Sequence, residues 1–295
     1  MPKESMTAKL CSFARAYHSM LGKDKIFDDY LAYDMMGGDE YKRINRLVDG
    51  CADVKTIYGF ESLRVFEELN SCFSPVALSR TAFAERALLR FAERSSDSEY
   101  VILGAGMDTF AFRNTDESIE IFEVDKPATL DYKRERIREL NWGIPVGLHF
   151  VPLDFEKDDL SEELLLSGFS PKKPSFFSLL GVSYYLTEPA LFEVIESFAS
   201  LAAPGSQFVL DYPDEERSGL SASPRVRQLI TITREMGEPM QRGFSLARLH
   251  QKLEENGLFI RRHATPTAIE REFFTGRTDK QRAMENIHYL LVEKR

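Results

Sequence analysis

The hydrophobic positions of this chain change their spacing near residue 100. Before that point, apolar side chains recur at helical intervals, as Phe83, Ala87 and Phe91 do, with charged residues between them. After it, short apolar runs alternate with helix-like segments. The pattern predicts a helical N-terminal layer or lid over residues 1–95 and an α/β core over residues 96–295.

The apolar runs of the core predict seven strands, at 100–104, 119–124, 148–153, 175–180, 206–211, 258–264 and 287–293. Helices are expected between them, near 127–140, 158–167, 187–202 and 245–256. The third of these is the most sharply delimited, because Thr187 can cap its start and Pro204-Gly205 ends it.

The segment 213–243 interrupts this alternation between the fifth and sixth strands and contains a helical stretch of its own. Insertions at the carboxyl edge of an α/β sheet often build substrate pockets. A solvated excursion is an equally good interpretation of the sequence.

The segment Tyr100–Arg113 (YVILGAGMDTFAFR) joins an apolar strand to a Gly-Ala-Gly turn. A second strand ends at Asp125, 21 positions after Gly104. Glycines let the backbone approach a ligand, and a carboxylate at a strand end can accept both ribose hydroxyls. A GxG pair alone is often only a tight turn, but this context favours nucleotide binding.

The residues after the glycine turn indicate which nucleotide. A dinucleotide fingerprint requires a third glycine, and that position is Thr109, preceded by Asp108. A carboxylate beside a helix N-terminus competes with a pyrophosphate but suits an ammonium or sulfonium charge. The turn therefore favours S-adenosyl-L-methionine over NAD.

A third strand ends in Leu153-Asp154-Phe155, where Asp154 can accept from an adenine amino group while Phe155 covers the ring. A single aspartate at this position is often a helix cap. Three carboxylates in succession along one sheet edge favour the ligand-binding interpretation.

Four segments, GAGMDTFAFR, FEVDKPATLDYKRERI, FVPLDF and LLGVSYYLTEPAL, resemble the leucine carboxyl methyltransferase family in order and spacing. The similarity covers roughly residues 79–212. The bacterial branch of the family includes O-methyltransferases of polyketide biosynthesis, of the tetracenomycin carboxyl-methylating kind. The resemblance implies a Rossmann-like class I methyltransferase fold of the α/β class, with a seven-stranded, mostly parallel sheet and an antiparallel last strand.

The resemblance also assigns roles to two arginines. It implies that Arg80, in LSRTAFAER, clamps the carboxylate of S-adenosyl-L-methionine, although the sequence alone favours a surface arginine on a helix. Arg113 is expected to support the glycine loop. The complete set of expected cofactor contacts is Arg80, Gly104, Ala105, Gly106, Asp108, Glu123, Asp125, Asp154, Phe155 and Leu180.

The fourth strand end departs from the family pattern, which has a glutamate before the glycine of E-G-x-x-x-Y-L. This chain has Leu180 there, which removes one expected cofactor contact and weakens the case for a protein-phosphatase substrate. The following Tyr184 and Tyr185 are candidates for positioning the acceptor. They and Asp211-Tyr212 are also the nearest candidate bases for a phenol or alcohol acceptor, whereas a carboxylate acceptor requires none.

Composition limits the remaining classes. The chain has 295 residues and a formal net charge of −9, which argues against nucleic-acid binding through a broad basic face. Its apolar runs are too short to span a membrane, and the first residues do not resemble a signal peptide. Three cysteines (Cys11, Cys51 and Cys72) and scattered histidines indicate neither disulfides nor a metal site, and favour a reducing cytoplasm.

The sequence thus predicts an O-methyltransferase that acts on a carboxylate or hydroxyl of a small metabolite. An N- or C-directed methyltransferase, a nucleotide-dependent oxidoreductase and a non-catalytic S-adenosyl-L-methionine-binding protein remain alternatives. The oligomeric state is left open.

Overall fold

The computed structural model describes residues 5–21, 24–48, 72–219, 221–241, 243–279 and 281–295. Its centre is a sheet of seven strands: β1 (Ser98–Leu103), β2 (Ile119–Asp125), β3 (Leu148–Pro152), β4 (Ser175–Leu179), β5 (Gln207–Pro213), β6 (Leu258–Ala264) and β7 (Ile287–Lys294). All seven expected strands are present, with ends displaced by no more than about two residues.

The strand order is β3-β2-β1-β4-β5-β7-β6. The first five strands pair in parallel, whereas β7 runs antiparallel to both β5 and β6. The predicted fold class is therefore confirmed. The order reverses between β1 and β4, and in open α/β sheets ligands bind outside the carboxyl ends of the strands at such a point.

Helices cover both faces of the sheet. In the described chain they are α1 (Met6–Leu21), α2 (Ala32–Met36), α3 (Gly38–Val48), α4 (Ser74–Ala92), α5 (Phe110–Arg113), α6 (Pro127–Glu139), α7 (Leu160–Leu166), α8 (Glu188–Leu201), α9 (Glu215–Ser218), α10 (Pro224–Glu235), α11 (Leu246–Glu255) and α12 (Pro266–Ile269). A 3-10 turn covers Ser183–Tyr185, and a π-helical turn covers Glu270–Phe274.

Two hydrophobic cores form because successive strand residues point to opposite faces of the sheet. On β1, Tyr100 and Ile102 face a core shared with α1, α4 and α10. Val101 and Leu103 face a second core shared with α7, α8 and α11. The N-terminal helices and the insertion after β5 thus lie on the same side of the sheet.

The insertion is packed against this layer. Val226, Leu229 and Ile232 of α10 are buried in the first core. Farther along, the Glu238 carboxylate accepts backbone N–H groups of Met6 at 2.5 Å and Thr7 at 3.2 Å, at the start of α1. The solvated-excursion interpretation of 213–243 is therefore wrong for α10, whereas the short helix α9 has no buried residue and fits it. Residues 220 and 242 lie outside the described ranges.

Within the described ranges, no helix is long and apolar enough to cross a bilayer. Cys11 is a half-buried free thiol, Cys72 is buried, and Cys51 lies outside the described residues. The expected helical character of residues 49–71 lies outside them as well.

Candidate functional site

The carboxyl ends of four strands bring the expected site residues into line. Leu103 of β1 lies between Val124 of β2 and Leu179 of β4, and Leu179 pairs with Leu210 of β5. The next residues along these strands form one row across the sheet edge: Asp125, Gly104, Leu180 and Asp211.

The glycine turn requires both of its glycines. Gly104 has φ +75° and Gly106 has φ +48°, values that L side chains rarely adopt. At Gly104, the Val182 side chain already occupies the space that a Cβ would need. At Gly106, that space is open, with no heavy atom within 4 Å. The turn thus exposes backbone to an open volume beside the row of strand ends.

Asp125 lies beside this volume. One of its carboxylate oxygens accepts the Gly106 N–H at 2.7 Å, and the other accepts the Lys126 N–H at 2.7 Å. A carboxylate offers about four acceptor positions. One position per oxygen therefore remains, which suits two neighbouring ribose hydroxyls.

Asp108 and Thr109 complete the turn. Asp108 Oδ1 accepts the Phe110 N–H at 2.7 Å, so this oxygen caps the short helix α5. Its second oxygen remains available for a cationic group. Thr109, which occupies the position of the missing third glycine, donates instead to Asp29 of the N-terminal layer at 2.6 Å.

Arg113 supports the turn from behind. Its Nε donates to Thr109 Oγ1 at 2.8 Å, and its guanidinium forms a two-point ion pair with Glu85 of α4 at 2.5 and 3.1 Å. Burial raises the pKa of Glu85, and the Arg113 charge opposes that rise. The structural role expected for Arg113 agrees with these contacts.

Arg80 approaches the row from α4. The guanidinium occupies the space that a Cβ would need at Gly181, whose φ is +76°. Its Nη1 lies 3.4 Å from Asp211 Oδ2, and the arginine side chain is mostly buried. The expectation of a surface arginine is wrong, because α4 packs this residue against the ends of β4 and β5.

Tyr184 and Tyr185 lie in the 3-10 turn after β4. Tyr184 is buried, and its hydroxyl donates to Asp211 Oδ2 at 2.6 Å. The Tyr185 hydroxyl donates to Thr7 Oγ1 of α1 at 3.1 Å. Burial raises the pKa of both phenols, that of Tyr184 well above its usual value of 10.0.

Asp154 follows β3 and is held locally. Its carboxylate accepts from Lys157 Nζ at 2.7 Å and from the Glu156 N–H at 3.2 Å, and the lysine contact lowers its pKa. The helix that follows is capped by Asp159 instead. Asp154 is thus not that helix's cap, and Phe155 packs beside it against the second core.

Two residues expected to bind the cofactor, Glu123 and Leu180, place no polar side-chain group in the open volume beside Gly106. Glu123 is completely buried, and its Oε2 lies 2.6 Å from Nζ of the equally buried Lys133 of α6. Leu180 is half-buried and packs against the first core. Glu123 is therefore corrected to an internal ion pair, and Leu180 offers only apolar or backbone contact.

The structure adds four residues to the site and its support: Arg15, Asp29, Asp211 and Glu238. The sequence did not single out three of them, and it singled out Asp211 only as a candidate base. Asp29 lies 3.1 Å from Arg15 Nε, while Arg15 Nη2 donates to Met107 O of the glycine turn at 2.8 Å. Asp211 binds both Arg80 and Tyr184, and Glu238 holds α1. Only Asp211 carried a sequence signal, a carboxylate within an apolar strand.

The arrangement fits S-adenosyl-L-methionine. The open volume at Gly106 admits a ligand to the backbone, Asp125 keeps free acceptor positions, and Arg80 supplies a cation at the opposite side of Gly104. Carboxylates for hydroxyl and ammonium groups, together with a guanidinium for a carboxylate, match the groups of this cofactor.

Comparison with known proteins supports the same conclusion. A family model described as leucine carboxyl methyltransferase matches residues 8–199. The Bacillus subtilis (strain 168) protein YktD, named as an S-adenosyl-L-methionine-dependent methyltransferase, is 36% identical, and the alignment covers 99% of each chain. A similarly named protein of Mycobacteroides abscessus is 30% identical over 51% of this chain and 50% of its own length.

The fold has a solved counterpart in a Thermobifida fusca YX protein named as a methyltransferase. The two structures share a TM-score of 0.55 and 16% sequence identity, with 96% of this chain and 94% of that chain covered. This likeness concerns the fold. The family model and the Bacillus relative show that the chain belongs to the leucine carboxyl methyltransferase family and is an S-adenosyl-L-methionine-dependent methyltransferase.

Proposed function

We propose that this enzyme transfers the methyl group to a carboxylate oxygen of a small metabolite. The observation that carries the proposal is the hydrogen bonding of two tyrosine hydroxyls, those of Tyr184 and Tyr185, beside the row of strand ends. Both hydroxyls donate to protein oxygens, and burial raises both pKa values. Neither is arranged to remove a proton, and a carboxylate acceptor at pH 7 has none to lose.

Methyl transfer to oxygen is an in-line displacement, in which the new O–C bond forms as the C–S bond breaks. When bound, S-adenosyl-L-methionine supplies the methyl group on a positively charged sulfur. The chain contributes orientation and exclusion of water. In this proposal Arg80, Asp108 and Asp125 hold the cofactor ends, Asp154 and Phe155 hold the base, and Tyr184 and Tyr185 shape the acceptor side.

The N-terminal layer and the insertion are proposed to close the acceptor side as a lid. This proposal is supported by Tyr185, whose hydroxyl donates to Thr7 of α1, and by Glu238, which caps the same helix from the insertion. Both segments therefore meet next to the turn that carries Tyr184 and Tyr185.

The test measures product formation on a panel of acceptors, with S-adenosyl-L-homocysteine release as the readout. The panel contains small carboxylic acids, aromatic polyketide-type acids, matched phenols and a peptide that ends in leucine. We expect turnover on small acids and none on the phenols. Turnover confined to phenols would overturn the carboxylate proposal, and turnover confined to the peptide would replace the small metabolite with a protein acceptor.

Ligand binding tests the alternatives to a methyltransferase role. Calorimetry should show binding of S-adenosyl-L-methionine and no binding of NAD, because Thr109 and Asp108 stand where a pyrophosphate would need glycine and a free helix N-terminus. Micromolar NAD binding without a signal for S-adenosyl-L-methionine would contradict the proposal. Cofactor binding without turnover on the whole panel would favour a non-catalytic binding protein.

A further inference from the structure

Asp211 is a charged residue at the end of β5 that the methyl-transfer chemistry does not itself require. Its side chain is completely buried. Oδ1 accepts the Gly181 N–H at 2.7 Å, while Oδ2 accepts the Tyr184 hydroxyl at 2.6 Å and lies 3.4 Å from Arg80 Nη1. One carboxylate thus joins the loop after β4 to the arginine of α4.

Asp211 contacts both partners of a close packing interaction, that between Arg80 and Gly181. The Arg80 guanidinium lies against the Cα of Gly181, where any side chain would collide with it. The same carboxylate binds the Gly181 N–H and faces the arginine, so it fixes both sides of this packing. A displacement of Asp211 would free the loop and the guanidinium together.

The backbone on both sides of Asp211 is also held in place. Ser183 Oγ donates to the Asp211 carbonyl at 2.5 Å, which returns the loop to β5. Across the sheet Asp211 pairs with Tyr289 of β7, whose hydroxyl lies 2.7 Å from Oγ of Ser79, the neighbour of Arg80. The strand β7 therefore holds both the backbone of Asp211 and the helical residue that precedes Arg80.

The contact with Arg80 engages one edge of its guanidinium. A guanidinium has five N–H donors in a planar fork. Asp211 faces Nη1, and Nη2 lies 3.8 Å from Cys11 Sγ, a weak acceptor. This orientation leaves donors for a bidentate contact with a carboxylate ligand.

We propose that Asp211 is the positioning residue of the amino-acid subsite of the cofactor: it sets the plane of Arg80 so that the guanidinium receives the ligand's carboxylate. The inference rests on the proposed role of Arg80 and is independent of which acceptor is methylated. Asp211 acts through Arg80 and the β4 loop and does not itself need to touch the ligand.

Two ligands separate positioning from general support of the fold. S-adenosyl-L-homocysteine carries the amino-acid carboxylate, whereas 5′-methylthioadenosine shares its adenosine and thioether sulfur but lacks that group. We expect Asp211→Asn to weaken binding of the first by about tenfold or more, on the scale of a charge-assisted pair, and that of the second by less than about twofold.

Arg80→Ala should give the same selective loss, and combining it with Asp211→Asn should add little, since both act on one contact. Tyr184→Phe serves as the matched control, because it removes a partner of Asp211 but leaves the carboxylate facing Arg80. It should change the affinity of either ligand by less than about threefold, because the Asp211 carboxylate that orients the guanidinium is retained.

Circular dichroism and thermal melting establish which variants fold. If Asp211→Asn does not fold, Asp211→Glu is measured in its place, since it keeps the charge but moves it by one methylene; the same selective loss is expected. Equal weakening of both ligands, or an unchanged affinity for both, would overturn the proposal. Selective loss in Arg80→Ala alone would leave the cofactor clamp standing and remove Asp211 from it.

Discussion

Asp29, in the N-terminal layer, accepts a hydrogen bond of 2.6 Å from Thr109 Oγ1, at the end of the glycine turn. The same buried carboxylate lies 3.1 Å from Arg15 Nε and 3.5 Å from Arg113 Nε. Thr109 stands where a dinucleotide-binding chain has its third glycine. The N-terminal layer therefore helps to fix the shape of the glycine turn, where we propose that the cofactor binds.

Asp29→Ala is expected to destabilise the protein by about 3 kcal/mol, because it removes the carboxylate partner of the mostly buried Arg15, whereas Arg113 keeps Glu85. Where the variant folds, its affinity for S-adenosyl-L-methionine should fall. Chemical denaturation and calorimetry measure the two effects. Asp28→Ala, at the exposed neighbouring position, is the control; equal effects of the two substitutions would contradict the role assigned to Asp29.

Asp125→Ala should weaken cofactor binding by roughly 30-fold or more, equivalent to about 2–4 kcal/mol for charge-assisted bonds to two hydroxyls. The substitution also removes the acceptor of the Gly106 N–H, so the turn itself loosens. Calorimetry on the folded variant gives the change. Asp131→Ala, on the exposed face of α6, should leave the affinity as it is, and an unchanged constant for Asp125→Ala would show that the ribose lies elsewhere.

Tyr184→Phe and Tyr185→Phe are each expected to lower kcat by less than about tenfold, below the ~10²–10⁴ that loss of a general base costs. Both variants keep the ring and delete a hydroxyl that donates to a protein oxygen. The pH profile of kcat decides the matter once an acceptor is known. A hundredfold loss together with the disappearance of a basic limb would identify a base and point to a phenol or alcohol acceptor.

His18 gives the stability a pH dependence that can be assigned. Its Nε2 accepts the Ile26 N–H at 2.9 Å, which requires the neutral ring, and burial lowers its pKa to about 4, with the nearby Arg277 charge adding to the effect. Because the unfolded ring has a pKa near 6.5, the folded state binds fewer protons between these values. Stability present above pH 6.5 is therefore lost as the pH falls towards 4.

The expected size of this loss is at most about 3 kcal/mol. His18→Gln can keep an acceptor for the Ile26 N–H but does not titrate. Denaturation measured between pH 7 and pH 4 should therefore give a flatter profile for the variant than for the natural chain. Parallel profiles would exclude His18 as the source of the dependence.

The strands could be predicted because each one is a local apolar run, and most of these runs are bounded by glycine, proline or a carboxylate. The carboxylates at their ends could also be predicted, since parallel strands bring their carboxyl ends to one edge. Glu123 shows the limit of this reasoning. It lies two residues before Asp125 on the same strand, and only the structure shows that Lys133 of the following helix neutralises it.

Contacts between distant segments left no local signal. Thr109 could be recognised as a departure from the glycine pattern, but its partner Asp29 lies 80 positions earlier. His263 and His288 stand apart in the sequence, yet adjacent strands bring their ring nitrogens to 2.7 Å. The pattern of apolar positions specifies which face of a helix or strand is buried. The pairs Thr109–Asp29 and His263–His288 depend instead on how distant segments are positioned relative to each other in the folded chain.

Because Glu238 caps α1, the first helix of the described chain can be completed only after a residue much later in the sequence has been synthesised. A chain is synthesised from its N-terminus, so α1 leaves the ribosome long before the carboxylate that satisfies its first N–H groups. Until about 230 more residues have followed, the start of the helix lacks that partner. A nascent chain that stops after β5 would therefore carry the five parallel strands with an unfinished first helix, and we expect that helix to dock only after the insertion has followed.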